Sequence, residues 1–92
     1  MSGLGVFCIA ADHPALAGHF PGNPLVPGVV LLDHALALLA VPPAAVPWVR
    51  FTGMVRPGDV CSAAVVVGRR GRALEVRVGD RVVLSVGLPA GV

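Results

Sequence analysis

Thirteen consecutive residues, Val29–Val41, constrain the fold more than any other stretch. Eleven of them are apolar, and they cover every face of a helix instead of one stripe. A helix apolar all round is a buried helix. The run is too short to cross a bilayer and contains Asp33 and His34, so it reads as a core element and not a membrane span. No other part of the chain has helical periodicity, so a helical bundle is excluded. Only a sheet is left to cover the helix, and the fold class is α+β: one central helix wrapped by an antiparallel sheet. The helix is expected to start near Pro27-Gly28 and to end at Val41-Pro42-Pro43.

The remaining sequence supplies that sheet. Val6–Ala11 reads as a short buried strand after a frayed 1–4, and Asp12-His13-Pro14 breaks it. Ala15–His19 is a connector of small and apolar residues. Val46–Val55 reads as the strand after the helix, followed by an Arg56-Pro57-Gly58-Asp59 turn. Val60–Val67, Ala73–Val78 and Arg81–Leu88 complete a sheet of about five strands, with turns at Gly68–Gly71 and Gly79-Asp80. Within Ala73–Val78 the alternation is explicit. Leu74, Val76 and Val78 share one face, and Glu75 and Arg77 share the other.

Ninety-two residues make a single domain, 1–92, without room for a second core. A composition 55% hydrophobic and 13% charged is rich in apolar surface for so short a chain, which points to burial against another subunit. The apolar N-terminus has no preceding basic residues, so it does not read as a secretion signal. The cytoplasm is the expected compartment, with Cys8 and Cys61 as free thiols. A net charge of +2, with no tyrosine, one tryptophan and three phenylalanines, is too little for a nucleic-acid footprint. All seven basic residues are arginine. Most suit solvated strand faces and turns, though Arg50, Arg56, Arg69, Arg70 and Arg72 could also form a patch for an acidic partner.

Chemistry concentrates in His19-Phe20-Pro21-Gly22-Asn23-Pro24-Leu25-Val26-Pro27-Gly28. Three prolines and two glycines in ten residues make this loop stiff, and it leads directly into the helix. Asp33 admits two readings. It is either part of a polar edge facing solvent or a partner, or a carboxyl in an apolar site, kept protonated by desolvation and suited to general acid work. Gly28, with Val29, stands at the helix start, where amides lack intrahelical acceptors and the dipole is positive. There it is either a plain helix-start glycine or a bare oxyanion donor that a carbonyl could approach closely. His19 as base, Asp33 as acid and these amides would suit removal of a proton α to a carbonyl with loss of a β hydroxyl. No metal-ligand spacing, P-loop or G-x-S-x-G is present.

The stretch from His19 to Asp33 resembles the signature of the β-hydroxyacyl-acyl carrier protein dehydratases, H-F-P-G-x-P-x-x-P-G followed by a helix bearing Asp or Glu. Val49-Arg50-Phe51 through Pro57-Gly58-Asp59 is similar to the family's strand ending in a P-G-D turn. Asn23 and His34 depart from the residues usual in relatives. Within the resemblance, the short chain fits better with small stand-alone dehydratases of specialised acyl or aryl-polyene pathways than with the fatty-acid enzymes. The resemblance implies a hotdog fold, here a helix in a roughly five-stranded antiparallel sheet. It also implies a dimer, of like or related subunits, with the His of one subunit facing the acid of the other. It implies dehydration of 3-hydroxyacyl thioesters to trans-2-enoyl thioesters, in fatty-acid, polyketide or aryl-polyene type biosynthesis. His19 would take the C2 proton, Asp33 would protonate the leaving hydroxyl, and Gly28 would hold the thioester carbonyl. No cofactor is implied. The substrate would come on the phosphopantetheine arm of acyl carrier protein, docked on some of the five arginines, with its chain in an apolar tunnel beside the helix. The rival readings are a hotdog thioesterase and a non-catalytic acyl-carrier-binding subunit that pairs with an active one.

Overall fold

The structure, a computed structural model, describes residues 2–9 and 26–91. Along the chain come β1 (Ser2–Phe7), α1 (Gly28–Ala37), a 3₁₀ turn (Pro43–Ala45), β2 (Val49–Phe51), β3 (Cys61–Gly68), β4 (Gly71–Val78) and β5 (Arg81–Gly87). The strands form one antiparallel sheet in the order β1-β3-β4-β5-β2. With α1 packed on one face, this is the hotdog arrangement.

The core lies between α1 and that face. Val30, Leu31, Ala35 and Leu36 of α1 meet Cys61 and Ala63 of β3, Leu74 and Val76 of β4, and Val83, Leu84 and Val86 of β5, all buried. Each of the Val and Leu side chains is worth roughly 1.5–3 kcal/mol when taken from water. The period-two pattern of β4 holds: Leu74 and Val76 are buried, while Glu75 and Arg77 form an outward ion pair at 3.0 Å. β5 departs from strict alternation. Val76 pairs with Leu84 but Arg77 pairs with Val82, so Val83 is the extra residue of a bulge. A bulge turns consecutive side chains to the same side, and both Val83 and Leu84 are fully buried.

Three expectations need correction. First, Ser2–Leu4 is not frayed. Ser2 and Gly3 pair with Val65 and Ala64, and a register shift between Gly3 and Gly5 lets Leu4 pack against the core. β1 ends at Phe7, earlier than the expected Ala11, and residues 10–25, including the Asp12-His13-Pro14 break and the connector, lie outside the described residues. Second, the strand after the helix is only Val49–Phe51; at its start, Pro47 cannot donate to a ladder.

Third, α1 ends at Ala37 and is not buried all round. Val29, Asp33 and Ala37, four residues apart, are exposed along one stripe. One sheet reaches one side of a helix, and among the described residues nothing covers the other. The early stop is a Schellman motif. The Ala40 amide donates to Ala37 O at 3.3 Å, and the Val41 amide donates back to Leu36 O at 3.2 Å. Ala40 holds the left-handed position at φ 54°, where glycine is the usual residue, and Val41 and Leu36 both enter the core.

An L side chain in that conformation costs about 1 kcal/mol. Ala40→Gly should therefore raise Tm by about 4–8 °C in thermal unfolding, and Ala40→Val should lower it.

Candidate active site

The entry to α1 is pinned before the helix begins. The Val26 amide donates to Val55 O at 2.7 Å, and the Gly58 amide donates to Ile9 O at 2.9 Å. The chain thus leaves the described residues at Ile9 and returns at Val26 with both ends tied to the short segment Val55–Gly58. The P-G-D turn is what makes this segment firm. The Arg56 amide donates to Asp59 Oδ2 at 2.9 Å, and the Asp59 amide donates to Arg56 O at 3.0 Å.

In the first turn of α1, the Val30 and Leu31 amides both donate to Pro27 O, at 3.0 and 3.3 Å. Gly28 and Val29 are left with free amides among the described residues, since Pro27 offers no side-chain cap. From sequence, these two amides are expected as oxyanion donors. They border an apolar cavity of about 380 Å³, walled by Val26, Pro27, Leu31, Val55, Phe51 and Met54. Asp33 lies one turn beyond Val29 on the same exposed stripe. In the single chain it is exposed and is not enclosed in an apolar site among the described residues. His34 points elsewhere, its ring stacked on Phe7 with centroids 5.6 Å apart. His19, Phe20, Pro21, Gly22, Asn23 and Pro24 lie outside the described residues.

Gly28 is bare for a reason the sequence does not display. A Cβ built there would sit 2.7 Å from Phe51 Cε1 and 2.9 Å from Phe51 Cζ. The missing side chain makes room for an aromatic ring of β2. Phe51 and Met54 are thus site residues that sequence reasoning did not single out. The available signal was the alternation Val49-Arg50-Phe51, which turns Phe51 to the helix side of the sheet.

The arginines divide by face. Arg50 pairs with Ser85, which pairs with Glu75, so all three point away from α1. With Trp48, Arg69 and Arg70 they surround a cleft of about 240 Å³ on the outer face of the sheet. Arg70 lies 5.5 Å above the Trp48 ring, and the indole rests on Gly87, where a Cβ would collide with it. Arg72 borders an adjoining hollow shared with Arg70. Arg56 is apart from this group, in the Pro57-Gly58 turn. Cys8 and Cys61 are free thiols. Burial, with Asp59 and Cys8 nearby, pushes the Cys61 thiol up from its ordinary value. Among the described residues no three His, Cys, Asp or Glu side chains gather as a metal-ligand set, and no helix is long and apolar enough to cross a membrane.

Comparison with known proteins gives a consistent set of matches. The model of the ApeI-like family, described as ApeI dehydratase, matches residues 4–87. A 3-hydroxyacyl-[acyl-carrier-protein] dehydratase FabZ of Thermomicrobium roseum is 34% identical over 89 residues, covering 83% of this chain and 60% of its own length. The FabZ of Chloroflexus aggregans is 34% identical over 84 residues, covering 77% of this chain and 58% of that protein. That of Natranaerobius thermophilus is 37% identical over 78 residues, covering 71% and 55%. The chain thus spans under two thirds of the length of these curated relatives.

Trp48 is the sole tryptophan and reports on the outer cleft directly. Gly87→Ala should push the indole off the sheet and out from under Arg70, seen as a red shift and loss of intensity in its emission. An unchanged spectrum would mean that the ring does not rest there in solution.

Proposed function

From the premise that the chain belongs to the ApeI-like dehydratase family, we propose that it removes water from 3-hydroxyacyl thioesters carried on acyl carrier protein, giving trans-2-enoyl thioesters. The observation that carries this reading is the helix start. Two free amides border an apolar cavity, with a carboxyl one helical turn further along the same stripe. In this scheme the Gly28 and Val29 amides hold the thioester oxygen, where negative charge grows as the C2 proton leaves. His19 takes that proton. The C2–H electron pair becomes the C2–C3 double bond, the C3–O bond breaks, and Asp33 protonates the departing hydroxyl. His19 returns its proton to Asp33 through solvent, which resets the pair. No cofactor enters the scheme.

We also assign the working unit to a dimer, homomeric or with a related subunit, of one hotdog domain per chain. Among the described residues β2 is an edge strand with an open side, and Phe51, Met54 and Val29 beside it are 50%, 67% and 66% exposed. A second copy pairing at that edge would cover them and would supply the dry surroundings that Asp33 lacks in one chain. The carrier protein, an acidic partner, would use the Arg50, Arg69 and Arg70 face. Free thiols at Cys8 and Cys61 accord with a reducing compartment, the cytoplasm.

Incubation with a 3-hydroxyacyl-carrier protein should convert it to a species lighter by one water in intact mass. His19→Ala and Asp33→Asn should each cut turnover by about 10²–10⁴-fold while leaving the melting profile in place. Release of free acid would instead indicate a thioesterase, and full activity in both variants would remove these residues from the chemistry.

A further inference from the structure

Among the residues around the helix-start cavity, most are fixed by the core. Leu31 and Val55 are 3% and 2% exposed, and Val26 is buried, so the base of the cavity cannot yield without unpacking the fold. Pro27 and Gly28 contribute backbone and a ring of fixed shape. At the mouth stand Met54, a flexible side chain, and Phe51. Phe51 differs from Met54 in being held: its ring lies on the Cα of Gly28, as close as a side-chain-free residue permits. Gly53 beside it is likewise confined, since a Cβ there would meet Val83 Cγ1 of the β5 bulge at 3.1 Å. The bulge thus backs the segment that leads from Phe51 to Met54, with the Thr52 amide donating to Val83 O at 3.0 Å and the Thr52 hydroxyl donating to Val82 O at 2.7 Å.

We propose that Phe51 is the specificity-determining residue of this cavity: its ring, seated on Gly28, limits the acyl group to a short chain. The inference rests on the dehydratase reading for the identity of the acyl group, but its physical content is the size of the space beside two free amides. That space, about 380 Å³, lies toward the small end of ligand cavities, which run from about 300 to 1,000 Å³. Phe51 is the large wall residue outside the core whose ring is held in place, so its volume decides how far a chain can extend past the carbonyl. The same contact explains why residue 28 has no side chain.

The test uses the full chain, with saturated acyl-pantetheine thioesters of increasing length as probes. These bind but have no hydroxyl to lose. Wild type should prefer short chains in calorimetry. Phe51→Leu, and more strongly Phe51→Ala, should move the preferred length upward, with about tenfold tighter binding of the longer probes, as expected for two newly buried methylenes. A length profile parallel to wild type in both variants would overturn the proposal. A second measurement needs no ligand. Gly28→Ala should lower Tm, and adding Phe51→Ala should recover part of that loss; if the pair is no more stable than Gly28→Ala alone, the ring does not rest on residue 28. If wild type dehydrates no 3-hydroxyacyl thioester yet the length shift is seen, the dehydratase reading fails and the role of Phe51 stands.

Discussion

The packing of one side of α1 on the sheet is the contact from which the rest follows. Val30, Leu31, Ala35 and Leu36 are the helix's buried residues, and the inward faces of β3, β4 and β5 close over them. Once that side is committed, every other position of the helix is assigned. Val29, Asp33 and Ala37 must face outward, and His34 must turn toward β1, where it stacks on Phe7. The free amides of Gly28 and Val29 then emerge beside β2, because the helix entry is tied to Val55. A buried apolar contact of this kind is non-directional, so the directional work falls to three backbone devices: the Val26–Val55 bond, the Schellman stop at Ala40, and the bulge at Val83.

Much of this could be read before any coordinates. An apolar run with no helical partner demands a sheet, and the turn at Gly79-Asp80 and the alternation from Leu74 to Val78 identify its strands. What could not be read has physical reasons. The helix stop at Ala40 is invisible because alanine there does what glycine normally does, with the cost met by Val41 and Leu36 entering the core. The pairing of Ser2 and Gly3 with β3 is invisible because a glycine-rich start looks frayed until a neighbouring strand is present. The all-round burial expected of α1 fails because hydropathy records which surfaces avoid water and not which chain covers them.

The site divides in the same way. Gly28, Val29 and Asp33 stand in sequence as a recognisable set, and the structure gives the first two free amides beside a cavity. The role of Phe51 was hidden because its contact with Gly28 joins residues far apart in the chain. The reading of Gly28 changes with it: its bareness is explained by an aromatic ring of the same chain, which shapes the approach to the amide. The arginines were seen as a group and are a group only in part. Arg50, Arg69 and Arg70 converge around Trp48 on the outer face, one residue along β2 from the ring that lines the cavity on the inner face.

We propose that the site is completed across two chains, with the acid of one serving the base of the other. Mixing the purified His19→Ala and Asp33→Asn proteins, after subunit exchange, tests it most directly. Neither alone should turn over a 3-hydroxyacyl-carrier protein. In a mixed dimer one site carries both substitutions and the other carries neither, so random exchange should restore about a quarter of the wild-type rate, half the dimers being mixed with one intact site each. Complete inactivity of a mixture whose exchange has been verified would contradict the account.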